Sequence, residues 1–299
     1  MVLNGSIITE TLRSLVDRHS NAYAQRWLDD RLESVRRAES DEPLLAGFGW
    51  APEIFGRDDL PLDTADHALA EHCRPDWNLR GWTVDQAARI LLVLEAMATH
   101  DRPADILTTL LATADERESV TLYRGLPLYP EQAHHVARAA EGTRSNMRTI
   151  FEAIAHRNPY PSERFPQAAW NQMVVKALFI GSTLAPICNL DRRQNPDLTL
   201  MLRGYAHERW AAGRTVSPEV WRCVGLHGGP AAVVDLERVL ASGVEIERRA
   251  AILALAANGS PHARELMQTY PDRARDADSG TLTWTTLFDT PQATKGRAT

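Results

Sequence analysis

The chain has 299 residues, 44% of them hydrophobic and 24% charged, with a formal net charge of −6. Such a length and composition belong to a globular chain with a sizeable core, not to a disordered one. The acidic balance speaks against a general nucleic-acid binder, which needs a basic face to displace counterions from phosphates.

In chain order the pattern is helical nearly throughout. Ser6 to His19 and Ala22 to Arg37 each place apolar residues at spacings of three and four, which predicts one buried face apiece. Asp29, Asp30 and Glu33 on the second of these match the D-D-x-x-E pattern by which isoprenoid enzymes hold magnesium, but no second acidic cluster accompanies them, and a solvated helix face is the plainer reading. His67, Glu71 and His72 have the spacing H-x-x-x-E-H, one residue longer than the inverted zinc-protease motif, so the two histidines fall on different faces. Thr83 and Gln86 form a capping box that opens a helix to about Ala98, apolar on most faces and therefore central, with Asp85 and Arg89 as an i,i+4 pair.

Proline at a first helical turn marks further starts at Pro103, Pro130, Pro196, Pro218 and Pro261, with Asn195, Ser217 and Ser260 as N-caps. Val120 to Tyr123 and Leu126 to Leu128 are the best candidates for short extended pieces. Ala231 to Leu240, Ile246 to Ala257 and His262 to Tyr270 read as helices joined by turns at Ser242-Gly243 and Asn258-Gly259. The expected fold is all-α, an irregular helical array with an α-solenoid, HEAT-like character towards the C-terminus. No linker rich in Gly, Ser or Pro divides the chain, so residues 1–286 are expected to form one domain, with 287–299 as a disordered tail.

Signatures of chemistry are sparse. There is no G-x-S-x-G, P-loop or dinucleotide fingerprint. Cys73, Cys188 and Cys223 stand far apart without a CxxC, which argues against a disulfide framework and for a reducing compartment. The opening Met-Val-Leu-Asn-Gly-Ser lacks a signal peptide's positive start and apolar run, so a cytoplasmic location is expected. The apolar runs near Ile90 to Met97 and Met173 to Gly181 are about half the length of a bilayer span, and no membrane-spanning segment is expected.

Candidate ligand-binding residues gather in two segments. The chain has 31 arginines and only two lysines, and one of them, Lys176, sits in the apolar helix that begins near Trp170 and Asn171. A lysine there binds an anion or forms an imine, unless it snorkels to the surface or pairs with a carboxylate. Tyr205, His207, Glu208 and Arg209 are dense in polar and aromatic groups. They either line a pocket, with His207 as acid or base and Arg209 as an anion contact, or close a helix C-terminus. Arg124, followed by Arg144, Asn146 and Arg148, adds cationic groups. No metal site and no cofactor is expected.

Four stretches carry a resemblance: Arg74-Pro75-Asp76-Trp77 with Gly81 to Arg89; Tyr123-Arg124-Gly125-Leu126-Pro127-Leu128; Asn158-Pro159-Tyr160-Pro161 with Trp170 to Phe179; and Tyr205 to Arg214. In these the chain, over roughly residues 20 to 285, resembles the EboA family of metabolite traffic proteins. The resemblance implies a bacterial, cytoplasmic accessory protein for making or exporting a small secondary metabolite. It further implies an ebo-type gene cluster whose other products, among them a UbiA-type membrane prenyltransferase and a sugar-phosphate cyclase, would be its partners. No catalytic residues carry over. The expected role is therefore binding of a metabolite or of partner enzymes, not catalysis; an enzyme acting on a prenylated or phosphorylated cyclitol is the alternative.

Overall fold

The computed structural model describes residues 5–100 and 103–288. Among them the fold is all-helical, with no strand and only two isolated β-bridges, Asp59 with Thr83 and His156 with Ile187. None of these helices is long and apolar enough to cross a membrane. Residues 289–299 of the expected tail lie outside the described residues, whereas Leu287, at its start, is buried.

The chain gathers into two compact units. The first runs to Trp170 and includes residues 186–188; the second comprises residues 171–185 and those from Asn189 onward. In the first unit lie α1 (Gly5–Arg18), α2 (Ala22–Arg37), α3 (Glu42–Phe55), α4 (Thr64–Cys73), α5 (Val84–Thr99), α6 (Pro103–Thr113), α7 (Glu116–Arg124), α8 (Val136–Gly142), α9 (Arg148–Ala155) and α10 (Tyr160–Arg164). The unit boundary falls within α11 (Gln167–Phe179). In the second unit follow α12 (Pro196–Ala211), α13 (Gly229–Ser242), α14 (Glu245–Asn258), α15 (Pro261–Gln268) and α16 (Pro271–Asp278).

Helix α5 is the axis of the first unit, as its apolar pattern foretold. Ile90, Leu91, Leu92 and Val93 are all buried, and α1, α2, α3, α6 and α7 pack around it. Its one cation, Arg89, is buried too. Arg89 donates to the Phe48 carbonyl at 2.8 Å, meets Glu118 at 3.2 Å and Asp85 at 3.7 Å, and lies over the Phe48 ring. A buried charge persists only when paired and hydrogen-bonded in this way. In the second unit the corresponding axis is α14, buried from Ala250 to Leu255, against which α13, α15, α16 and the 3-10 turn Pro218–Cys223 pack.

Three sequence expectations are corrected. Val120 to Tyr123 is helical, not extended: it lies in α7, which Asp115 and Glu118 open with a capping box. Pro130 starts no α-helix. The chain turns through Glu131 at φ 48° into a 3-10 turn, Gln132–His135, before α8. The Leu126–Leu128 piece is a 3-10 turn as well.

Candidate functional site

The first unit holds a cavity of about 560 Å³. It is built from three pieces of sequence: the loop before α5, the outward side of α7, and the end of α9 with the turn that follows.

The loop is fixed before it reaches the cavity. Arg74 is buried and donates to the Pro127 carbonyl at 3.1 Å and through both terminal nitrogens to Glu163, at 3.0 and 2.6 Å. The Trp77 amide donates to the Arg74 carbonyl at 3.0 Å, and so the Arg74–Glu163 pair sets where Trp77 stands. At the other end the Leu60 amide bonds the Trp82 carbonyl at 2.7 Å beside the Asp59–Thr83 bridge. Between them Gly81 takes φ 77°, a conformation that glycine adopts without a Cβ clash. Trp77 and Trp82 are buried in an edge-to-face pair, 6.3 Å between ring centroids, and both line the cavity. The indole N–H of Trp77 is buried without a hydrogen-bond partner.

The second wall is held by one carboxamide. Asn158 donates to the carbonyls of Tyr123, at the end of α7, and Ala153, in α9, both at 3.0 Å, and accepts from the Tyr160 amide. The residue before it, Arg157, sits at φ 50°, a left-handed conformation unfavourable for a side chain of its size. Its amide bonds the Pro186 carbonyl at 2.9 Å next to the His156–Ile187 bridge, which holds it there.

The chemistry of the lining is cationic. Arg80, Arg117, Arg124 and Arg157 stand against Glu116 and Glu152, a formal excess of two positive charges in a chain of net charge −6. Glu116 accepts a hydrogen bond from Thr149, and Glu152 pairs with Arg148 at 2.7 Å. Arg124 donates through Nη1 to the Gly81 carbonyl at 2.5 Å and to Gln86 Oε1 at 2.8 Å. Burial lowers its pKa, and the neighbouring charge of Arg157 lowers it further, with Asp59 opposing. Among the described residues, Arg80, Arg117 and Arg157 form no ion pair.

Of the eight candidates read from sequence, Arg124 lines this cavity and the other seven do not. Trp170 is fully buried. Asn171 exchanges side-chain hydrogen bonds with Asn195, at 3.0 and 2.9 Å, and Asn195 caps α12 through the Leu198 amide. Lys176 is half-buried, and desolvation lowers its pKa. Tyr205 is buried and directs its hydroxyl at the Leu178 carbonyl; Arg209 lies over the Tyr205 ring and donates to the Thr215 carbonyl. His207 is exposed, bonds Asp235 through Nε2 at 2.7 Å and stacks on Trp210, while Glu208 is exposed. The shallow hollow that His207 lines with Trp210, Asp235 and Arg238 does not include Lys176. Asp29 and Asp30 are exposed, Asp29 pairs with Arg13 at 2.5 Å, and Glu33 pairs with Arg36 and Arg37, so the acidic stretch of α2 is a solvated face. Among the described residues no group of three or more His, Cys, Asp or Glu side chains is placed to hold a metal ion.

Sequence reading missed Arg80, Arg117, His156 and Arg157, for which no local signal exists. It quoted Trp77, Gly81, Trp82 and Asn158 within the stretches of resemblance and read Gln86 as part of a capping box, and the structure brings these onto one cavity. A family model described as metabolite traffic protein EboA matches residues 8–225, which include every residue of the cavity lining. No curated protein and no solved structure matches the chain.

Proposed function

Since the chain belongs to the EboA family of metabolite traffic proteins, we propose that it is an accessory protein that binds a small polar metabolite in the cavity of its first unit. The observation that carries this reading is the lining itself: cationic side chains and two indoles on one cavity, on backbone fixed by the Arg74–Glu163 pair and the Asn158 staple. Ligand sites are concave, with an apolar wall and a few convergent polar groups, and this one is large enough for a small molecule. Asn171 and His207, by contrast, are each held by a side chain of their own unit. In this reading the protein works in the cytoplasm beside the other products of an ebo-type cluster, with the metabolite handed between it and a partner enzyme without turnover on the chain.

The test is native mass spectrometry of the full chain purified from its own host, against a Val120→Trp variant whose new side chain fills the cavity from α7. A stoichiometric small molecule on the wild type that unfolding releases, and that the filled variant lacks while keeping its helical circular dichroism, supports the reading. Equal adducts on both proteins contradict it. Turnover of the released molecule by the chain alone contradicts the non-catalytic part.

A further inference from the structure

The geometry points to a phosphate monoester as the class of ligand that this cavity takes, with Arg124 and Arg157 holding the phosphoryl oxygens and the Trp77–Trp82 corner covering the organic part. The inference rests on the cavity being the binding site and goes on to name what binds there.

Three observations carry it. The first is charge. The lining has an excess of two positive charges, which a dianion neutralises and a monoanionic carboxylate does not. A phosphate ester carries about −1.5 to −2 charges at neutral pH and three strong acceptor oxygens. The second is the state of the cations. The protein's buried arginines elsewhere, Arg74 and Arg89, each meet a carboxylate within hydrogen-bond distance. Arg124 instead gives one nitrogen to two neutral oxygens, of Gly81 and Gln86, while repelling the nearby Arg157. Arg124 and Arg157 line the same cavity, and planar guanidinium forks match phosphoryl oxygens two at a time. The third is strain. Arg157 is fixed in a left-handed conformation by the Pro186 carbonyl, and such outliers persist where the surrounding structure imposes them, often at ligand clamps. The partnerless indole N–H of Trp77 marks the apolar end as incompletely satisfied. An organic group at that end separates an ester from free phosphate.

The experiment has two arms. In the first, the molecule released from host-purified protein is treated with a phosphatase and weighed again; loss of phosphoryl mass is the expected result. A bound molecule without phosphorus overturns the monoester assignment and leaves the cavity reading standing. In the second, phenyl phosphate, inorganic phosphate and benzyl alcohol are titrated by calorimetry into the full-length chain at constant ionic strength. Phenyl phosphate is expected to bind most tightly. Arg157→Gln and Arg124→Gln are each expected to weaken it about tenfold or more, the scale of one charge-assisted hydrogen bond, whereas Lys176→Gln leaves it unchanged. Arg157 is exposed and without an ion pair among the described residues, so its variant keeps the fold. Inorganic phosphate binding as tightly as phenyl phosphate overturns the ester part. Benzyl alcohol binding as tightly as phenyl phosphate overturns the anion clamp. No adduct from the host together with no titration signal overturns both this inference and the cavity reading beneath it.

Discussion

Two sets of arginines in the first unit behave in opposite ways. Around α5 and the Arg74 loop, the two arginines buried as whole residues are answered: Arg89 by Glu118, Asp85 and the Phe48 carbonyl, Arg74 by Glu163 and the Pro127 carbonyl. Around the cavity, Arg80, Arg117 and Arg157 have no ion pair among the described residues, and Arg124 meets only neutral oxygens. The first set holds the fold together. In the second, the guanidiniums carry their charge without an ion pair among the described residues. What distinguishes structure from site here is the partner of each residue, and residue type does not.

The largest expected effect separates the two sets. Arg89→Met leaves Asp85 and Glu118 at a buried site without their cation and should cost about 3–5 kcal/mol by urea denaturation. Arg74→Met should approach that, since it leaves Glu163 without its cation and takes one of two donors from the Pro127 carbonyl, which keeps Gln132. A loss below about 1 kcal/mol for both, the worth of an exposed pair, would break the comparison. Next comes Gly125, at the end of α7. A Cβ at Gly125 would run into Tyr129 Oη and lie 2.6 Å from Ile90 Cδ1, so Gly125→Ala should cost about 1–3 kcal/mol through overpacking. In the cavity set, Arg117→Gln and Arg157→Gln should change stability by no more than about 0.5 kcal/mol, as surface substitutions do.

The smallest effect is electrostatic. His135 is buried with Nε2 on the Pro130 carbonyl, and burial holds its pKa below the usual value of about 6.5. The unfolded chain therefore takes up the proton first. This residue's contribution is present above the unfolded value and is lost as pH falls through the folded one. Denaturation midpoints of the wild type should fall faster on mild acidification than those of His135→Gln; parallel curves would remove the residue from the account.

Much of the fold was legible. Helices α1, α2, α5 and α12 to α15 follow from apolar spacing and from caps such as Thr83, Asn195 and Ser260. The misreading of Val120 to Tyr123 has a local cause. Valine, threonine and tyrosine favour strands, but the Asp115–Glu118 capping box and the burial of Thr121, Leu122 and Tyr123 decide for a helix. The site was far less legible. Arg124 was singled out for its charge, yet the cavity that it lines is walled also by Arg157, 33 positions later, which stands in a left-handed turn that no spacing announces. Lys176 and His207 drew attention because their neighbours are apolar or aromatic. Periodicity does not show which polar group already has a partner: the exposed His207 has Asp235, and the buried Asn171 has Asn195.

The central claim is that the cationic cavity of the first unit, not the Lys176 and His207 segment, is where this protein meets its metabolite. The most direct test is to purify wild type, Arg157→Gln and a Lys176→Met/His207→Ala double variant from the native host and compare the occupancy of bound small molecule on each by native mass spectrometry. The account expects occupancy to collapse in Arg157→Gln and to persist in the double variant. Occupancy that persists in Arg157→Gln and collapses in the double variant would contradict it.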